Sequence, residues 1–113
     1  MESMSASDGE TVEVVDGVYL TQLLAGQRMS CQHVHIEAGA RVPAHQHHFE
    51  QAGYIDEGTA TFIVDGDDEV VLGAGESYVI AGHRTHAVEN RTDDPVTGID
   101  FFAPPRTNPD WAP

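Results

Sequence analysis

Apolar residues in this chain recur with a period of two, and no window of about a dozen residues sustains the apolar face of a helix. The runs TVEVV 11–15, VYLTQLL 18–24, MSCQHVHIE 29–37, QAGYID 51–56, TATFIVD 59–65, EVVL 69–72, SYVI 77–80, HAVEN 86–90 and VTGIDFF 96–102 are rich in Val, Ile, Phe and Tyr. Such side chains suit a pleated, half-buried surface. Between them stand DG 16–17, AGQ 25–27, AGA 38–40, EGT 57–59, DGDD 65–68, GAG 73–75 and TDDP 92–95, where Gly, Asp and Pro supply turn geometry. Short strands at nearly regular spacing predict an all-β protein, an antiparallel sandwich or small barrel. At 113 residues there is material for one core and not for two. The expected organisation is a flexible N-terminal tail over 1–10, a single domain over 11–106 and a C-terminal tail over 107–113.

Charge narrows the partners. Lys is absent, and five Arg oppose nineteen Asp and Glu, for a net charge of −14. Such a surface repels phosphate backbones and anionic headgroups, so neither nucleic acid nor a membrane is expected as a partner. The opening MESMSASDGE has no basic or apolar leader pattern, and nowhere do 18 apolar residues run together, so a cytoplasmic location is expected. Acids dispersed along a chain without Lys resemble the proteins of salt-accumulating halophiles, where molar salt shortens the screening length to about 3 Å. The lone cysteine, Cys31, excludes an internal disulfide and reads as an inert thiol.

The densest chemistry lies in HQHHFEQ, residues 45–51. If this segment is extended, His45, His47, Phe49 and Gln51 share one face, while Gln46, His48 and Glu50 share the other. Two imidazoles at i and i+2 can chelate one ion, and a third could come from another strand, for which His86 at the head of HAVEN is the candidate. The plain alternative is a pair of exposed or structural histidines. A β-bulge near 48–49 would shift the phase and bring Glu50 round in place of Gln51.

Two spacings decide between these readings. The pattern G(X)5HXH(X)3–4E(X)6G is met by Gly39, His45, His47 and Gly58, with Gln51 in the Glu position. The pattern G(X)5PXG(X)2H(X)3N is met by Gly75, His86 and Asn90, with Ala81 for Pro and His83 for Gly; the adjacent Gly82 could supply the same turn. Together they resemble a small single-domain cupin over roughly residues 30 to 103. The resemblance implies a jelly-roll β-barrel with one divalent transition metal (Zn, Mn, Ni, Fe, Co or Cu) inside it, held by His45, His47, Gln51 and His86. It also implies a small-molecule substrate or ligand, and a homodimer paired through exposed sheet edges.

Gln51 is the departure from the pattern. A Glu would cancel one charge of the ion, whereas an amide oxygen cancels none, so whatever the ion touches is polarised more strongly. That favours Lewis-acid chemistry of the isomerase, cyclase or lyase type on an oxygen-rich organic molecule. The alternatives are an Fe(II)-type dioxygenase, which usually has an anionic carboxylate ligand, and a non-catalytic binding or sensor module. His83, in the turn before His86, is the candidate proton-transfer residue at the cavity mouth; an exposed turn histidine is the plain alternative. His33 and His35 alternate with Val34 and Ile36 and are expected outside the core or in a subunit contact. Asn90-Arg91-Thr92 fits a glycosylation sequon, discounted without an export signal.

The charge reading has a direct test. Self-repulsion at −14 should weaken the fold in dilute buffer and be relieved in molar KCl, raising the melting temperature by several degrees. A melting temperature that stays flat across the salt series would rule out the halophile-type adaptation.

Overall fold

The computed structural model describes residues 1–106. The expected C-terminal tail, 107–113, lies outside the described residues. Ten strands follow a short 3-10 turn at Ala6–Asp8: β1 Thr11–Val15, β2 Val18–Ala25, β3 Ser30–Ile36, β4 Arg41–His45, β5 Glu50–Glu57, β6 Thr59–Val64, β7 Asp68–Gly73, β8 Ser77–Ile80, β9 His86–Glu89 and β10 Val96–Ala103. They form a six-stranded sheet in the order β1-β2-β3-β10-β5-β8 and a four-stranded sheet in the order β4-β9-β6-β7. Every pairing is antiparallel. The period of two led to an antiparallel sandwich or small barrel, and the two sheets form the jelly roll that the family resemblance implies; among the described residues no helix is long and apolar enough to cross a membrane.

One strand is not among the nine apolar runs. β4 carries Pro43, which cannot donate to a ladder, and its sequence RVPAH shows little alternation. It is tolerated because β4 is an edge strand, and its register with β9 slips between Val42 and His45, around the proline. Within residues 1–10 the Ser5 hydroxyl accepts from the Ser7 N–H to cap the 3-10 turn.

The inner faces of the two sheets make the core. Val18, Leu20, Ile36, Val42, Ile55, Ala60, Phe62, Leu72, Ile80 and Val96 are buried together. Val34 packs against them, while His33 and His35, on the opposite face of β3, are only half buried. Gly58, between β5 and β6, is held at φ +84, and a Cβ there would overlap the Pro95 carbonyl oxygen. Only glycine meets both demands.

The six-stranded sheet also has a polar row on its inner face. Register sets Gln32 of β3 against Asp100 of β10, Asp100 against Gly53 of β5, and Gly53 against Tyr78 of β8. Gly53 leaves the space through which the Tyr78 ring lies across β5; a Cβ at this position would overlap ring atoms Cε1 and Cζ. The phenol oxygen thereby reaches Asp100 Oδ1 at 2.7 Å. Gly53→Ala should therefore displace the ring and destabilise the fold by about 1–3 kcal/mol, the usual cost of overpacking. Urea denaturation measures this, and a cost under about 0.5 kcal/mol, typical of a surface substitution, would contradict the crossing.

Candidate metal centre

His45 closes β4 and His86 opens β9, and the two are register partners in the four-stranded sheet. Their ring centroids are 4.3 Å apart. His47 lies in the crossing between β4 and β5, with its ring 5.4 Å from that of His45 and 5.1 Å from that of His86. One ligating nitrogen from each of the three falls within 4.8 Å of the others. Gln51, on β5 of the opposite sheet, turns its Oε1 to within 3.2 Å of His47 Nε2. The four side chains proposed from sequence are thus brought to one place.

HQHHFEQ is not one extended strand, however. β4 ends at His45 and β5 begins at Glu50, so residues 46–49 carry the chain from one sheet to the other. Strand alternation over the whole segment therefore fails as a description, yet its outcome holds: Gln51 is buried and Glu50 is exposed.

Hydrogen bonding sets the rings for coordination. Each Nδ1 faces a main-chain carbonyl two residues away: His45 to Pro43 at 2.8 Å, His47 to Phe49 at 3.0 Å and His86 to Arg84 at 2.9 Å. A carbonyl can only accept, so each ring carries its proton on Nδ1 and presents a lone pair at Nε2. This is the orienting contact that metal-bound histidines make. His86 Nε2 is buried with no hydrogen-bond partner among the described residues. The Nε2 lone pair of His47 faces the Gln51 amide oxygen, a contact that a cation held by both residues would make favourable. These donors fit a divalent transition ion, with nitrogen ligands suited to Zn, Cu, Fe or Ni.

Burial lowers the His45 pKa to about 4, opposed by the Pro43 carbonyl and assisted by His86, His47 and Arg106. Burial likewise lowers that of His86. Both rings are neutral at neutral pH, the form in which imidazole can ligate an ion.

Behind Gln51 lies a second polar group that the sequence reading did not single out. The Gln51 amide nitrogen donates to the Tyr78 hydroxyl at 2.9 Å, Tyr78 donates to Asp100, and Gln32 Nε2 donates to Asp100 Oδ2 at 3.1 Å. Burial raises the pKa of both Tyr78 and Asp100; for Asp100 the hydrogen bonds from Tyr78 and Gln32 oppose the rise. Asp100 was visible in principle, since it shares an inward phase with Val96, Gly98 and Phe102, and an acid on a core face is uncommon. Arg106 offered no such sign. Its buried guanidinium lies 3.7 Å from the Phe102 ring centroid, and it joins Asp100, Tyr78, His45, His86 and Gln51 in lining a cavity of about 50 Å³. The remaining walls are apolar, among them Leu20, Val42 and Phe62.

The other histidines stand apart. His83 is exposed, lines no part of this cavity, and adopts φ +66, with its main-chain N–H donated to the His47 carbonyl at 2.7 Å. The structure does not bring its side chain to the cluster, because the left-handed turn that it forms spends its backbone on bracing His47. His35 lies edge-on to Tyr19 at 5.8 Å and 3.5 Å from Glu37, on the outer face.

Fold and site now meet the known proteins. The cupin domain family matches residues 32–102. The chain belongs to the cupins. No curated protein sequence matches it. Among solved structures, this cupin is similar to an RmlC-like cupin from Shewanella frigidimarina, at 24% identity and TM-score 0.84, covering 94% of this chain and 93% of that one. It is similar to KdgF from Halomonas sp., at 22% identity and TM-score 0.83, covering 94% and 96%. It also resembles the polyketide cyclase RemF from Streptomyces resistomycificus, at 16% identity and TM-score 0.81, covering 91% and 79%. At these identities the likeness is one of fold.

Burial of the two neutral rings has a pH consequence for the metal-free protein. With folded pKa values below the ordinary 6.5, the unfolded chain protonates first as pH falls. Their contribution therefore favours the fold above about pH 6.5 and is lost progressively toward about pH 4. Urea melts of chelator-treated protein across that window should show stability falling with pH, less steeply in His45→Gln. An equal slope in the two proteins would contradict the assignment.

Proposed function

We propose that this cupin is a metal-dependent enzyme of the Lewis-acid type, an isomerase, cyclase or lyase acting on a small, oxygen-rich organic molecule. One divalent transition ion is held by His45, His47, His86 and Gln51. The observation that carries the reading is the set of three Nδ1-anchored imidazoles whose ligating nitrogens converge within 4.8 Å, completed by a neutral amide oxygen. When bound, the ion supplies Lewis acidity toward a substrate oxygen, undiminished by any anionic ligand.

The chain's own groups do the rest. Apolar walls keep bulk water from the reacting end of the substrate, for which the cavity has space equal to roughly three or four waters. Arg106 puts a guanidinium in the cavity lining, a group able to donate to a substrate oxygen. Asp100, with its raised pKa, is the group that can give or take a proton at a carboxyl oxygen. A passive binding module would need no such titratable group beside its ligand, and this favours catalysis over simple binding. The neutral ligand set favours Lewis-acid chemistry over oxygen activation. A similar barrel serves as a polyketide cyclase in Streptomyces resistomycificus, which is consistent with ring-forming or ring-opening chemistry here.

Metal analysis of untagged protein tests the site. His45→Ala, His47→Ala and His86→Ala should each lose most of the metal while the β-sheet circular dichroism persists. Glu50→Gln should bind normally, and Gln51→Ala should bind about tenfold or more weakly, as for other losses around a metal centre. Stoichiometric metal in all three histidine variants would refute the assignment. Loss in Glu50→Gln with retention in Gln51→Ala would make Glu50 the ligand and remove the basis for a neutral site.

A further inference from the structure

A glutamine is an ambiguous metal ligand. Its amide has two ends of nearly equal size, one an acceptor and one a donor of two protons. Only the oxygen end can ligate a cation; the NH2 end repels it. A glutamine that serves as a ligand therefore needs something to choose between its two orientations.

Here the choice is made away from the metal-facing side. Asp100 accepts two hydrogen bonds, one from Gln32 Nε2 at 3.1 Å and one from the Tyr78 hydroxyl at 2.7 Å. Tyr78 has a single proton and gives it to the carboxylate. Its oxygen can then only accept, and what it accepts is the Gln51 NH2 at 2.9 Å. Turning the amide over would oppose the Gln51 oxygen to a phenol oxygen with no proton left to give. Such a contact inside the barrel would leave both acceptors unsatisfied. The oxygen end is thereby directed at His47 Nε2, 3.2 Å away. Two buried elements hold the selector in place: Gly53, over which the phenol lies, and Phe62, whose ring centroid is 4.6 Å from that of Tyr78.

We infer that Tyr78 is a positioning residue for the metal centre: through its hydrogen bond to the buried Asp100, it selects the orientation of the Gln51 amide that presents oxygen to the ion. The inference rests on the reading of Gln51 as a ligand. It gives a role to the phenol that lies between the buried carboxylate and the neutral ligand. It also explains how an uncharged ligand can be used reliably, since the work done elsewhere by a carboxylate's two equivalent oxygens is done here by a directed hydrogen bond.

A double-mutant cycle on metal affinity tests it, with Zn(II) titrated in competition with a chromophoric chelator. Tyr78→Phe keeps the ring and removes only the hydroxyl, and it should weaken binding about tenfold or more, the usual effect of losing an orienting partner. Gln51→Glu has oxygen at both ends and needs no selector, so Tyr78→Phe in that background should cost no more than about twofold. A purely structural role for Tyr78 would weaken both backgrounds alike, and that result would overturn the inference, as would an unaffected Tyr78→Phe. Absence of Zn(II) binding by the wild type would overturn the ligand reading and this inference with it, whereas wild-type binding insensitive to Tyr78→Phe would overturn the inference alone.

A measurement on the unaltered protein guards against a variant that fails to fold. In the metal-free protein, NMR should show nuclear Overhauser contacts from the Gln51 side-chain amide protons to the Tyr78 ring. Contacts to the His47 imidazole in their place would reverse the orientation and end the proposal.

Discussion

Burial of the Asp100 carboxyl is the constraint on which the interior depends. A carboxylate out of water is costly unless its lone pairs are met by donors. Gln32 and Tyr78 meet them, and the sheet register makes this possible by setting Gln32, Asp100, Gly53 and Tyr78 abreast on four neighbouring strands. Each member has its reason within that row. Gly53 has no side chain because the phenol must cross it; Tyr78 is a phenol because Asp100 needs a proton donor and Gln51 needs an acceptor. One buried charge thus accounts for the identities of three neighbours and the orientation of a fourth.

Against the strongly acidic exterior, the candidate ligands at the histidine cluster are neutral, and the hydrogen-bonded chain behind Gln51 runs through Tyr78 to Asp100. The acids are spent on the surface, where Arg91 and Arg84 pair with Glu69, Glu89 and Asp65 in exposed ion pairs that contribute little to stability. Among the described residues the exception inside is Asp100, which shares the cavity lining with Arg106, whose charge lowers the Asp100 pKa against the effect of burial. The barrel therefore separates two electrostatic tasks: repulsion and hydration outside, and a locally balanced cavity within.

The fold was legible in the sequence because a period of two with Gly and Asp punctuation admits few alternatives, and only β4, masked by Pro43, escaped. The histidines were legible because metal-binding side chains are rare on an inward phase and their spacing is local or matched to a known pattern. Gln51 was reached by alternation along a strand that turned out to be two strands joined by a crossing, since the bend over residues 46–49 happens to preserve the facing. Gln32, Tyr78 and Arg106 escaped for a different reason. Their roles come from cross-strand register and from the end of β10, and register between distant strands is not written in any local pattern.

Gln51 comes from the six-stranded sheet, while His45 and His86 come from the four-stranded one. An ion held by all of them would be a clasp between the two sheets, in addition to the packed core and the hydrogen bond from Asn90 to the Ile36 carbonyl. Opening the sandwich there would then require giving up ligands, so whatever binds the ion competes with separation of the sheets. The coupling also runs in reverse, because any distortion that spreads the layers moves the amide oxygen away from the imidazoles. In such a barrel, rigidity at the clasp and the charge state of the interior are two readings of the same bonds.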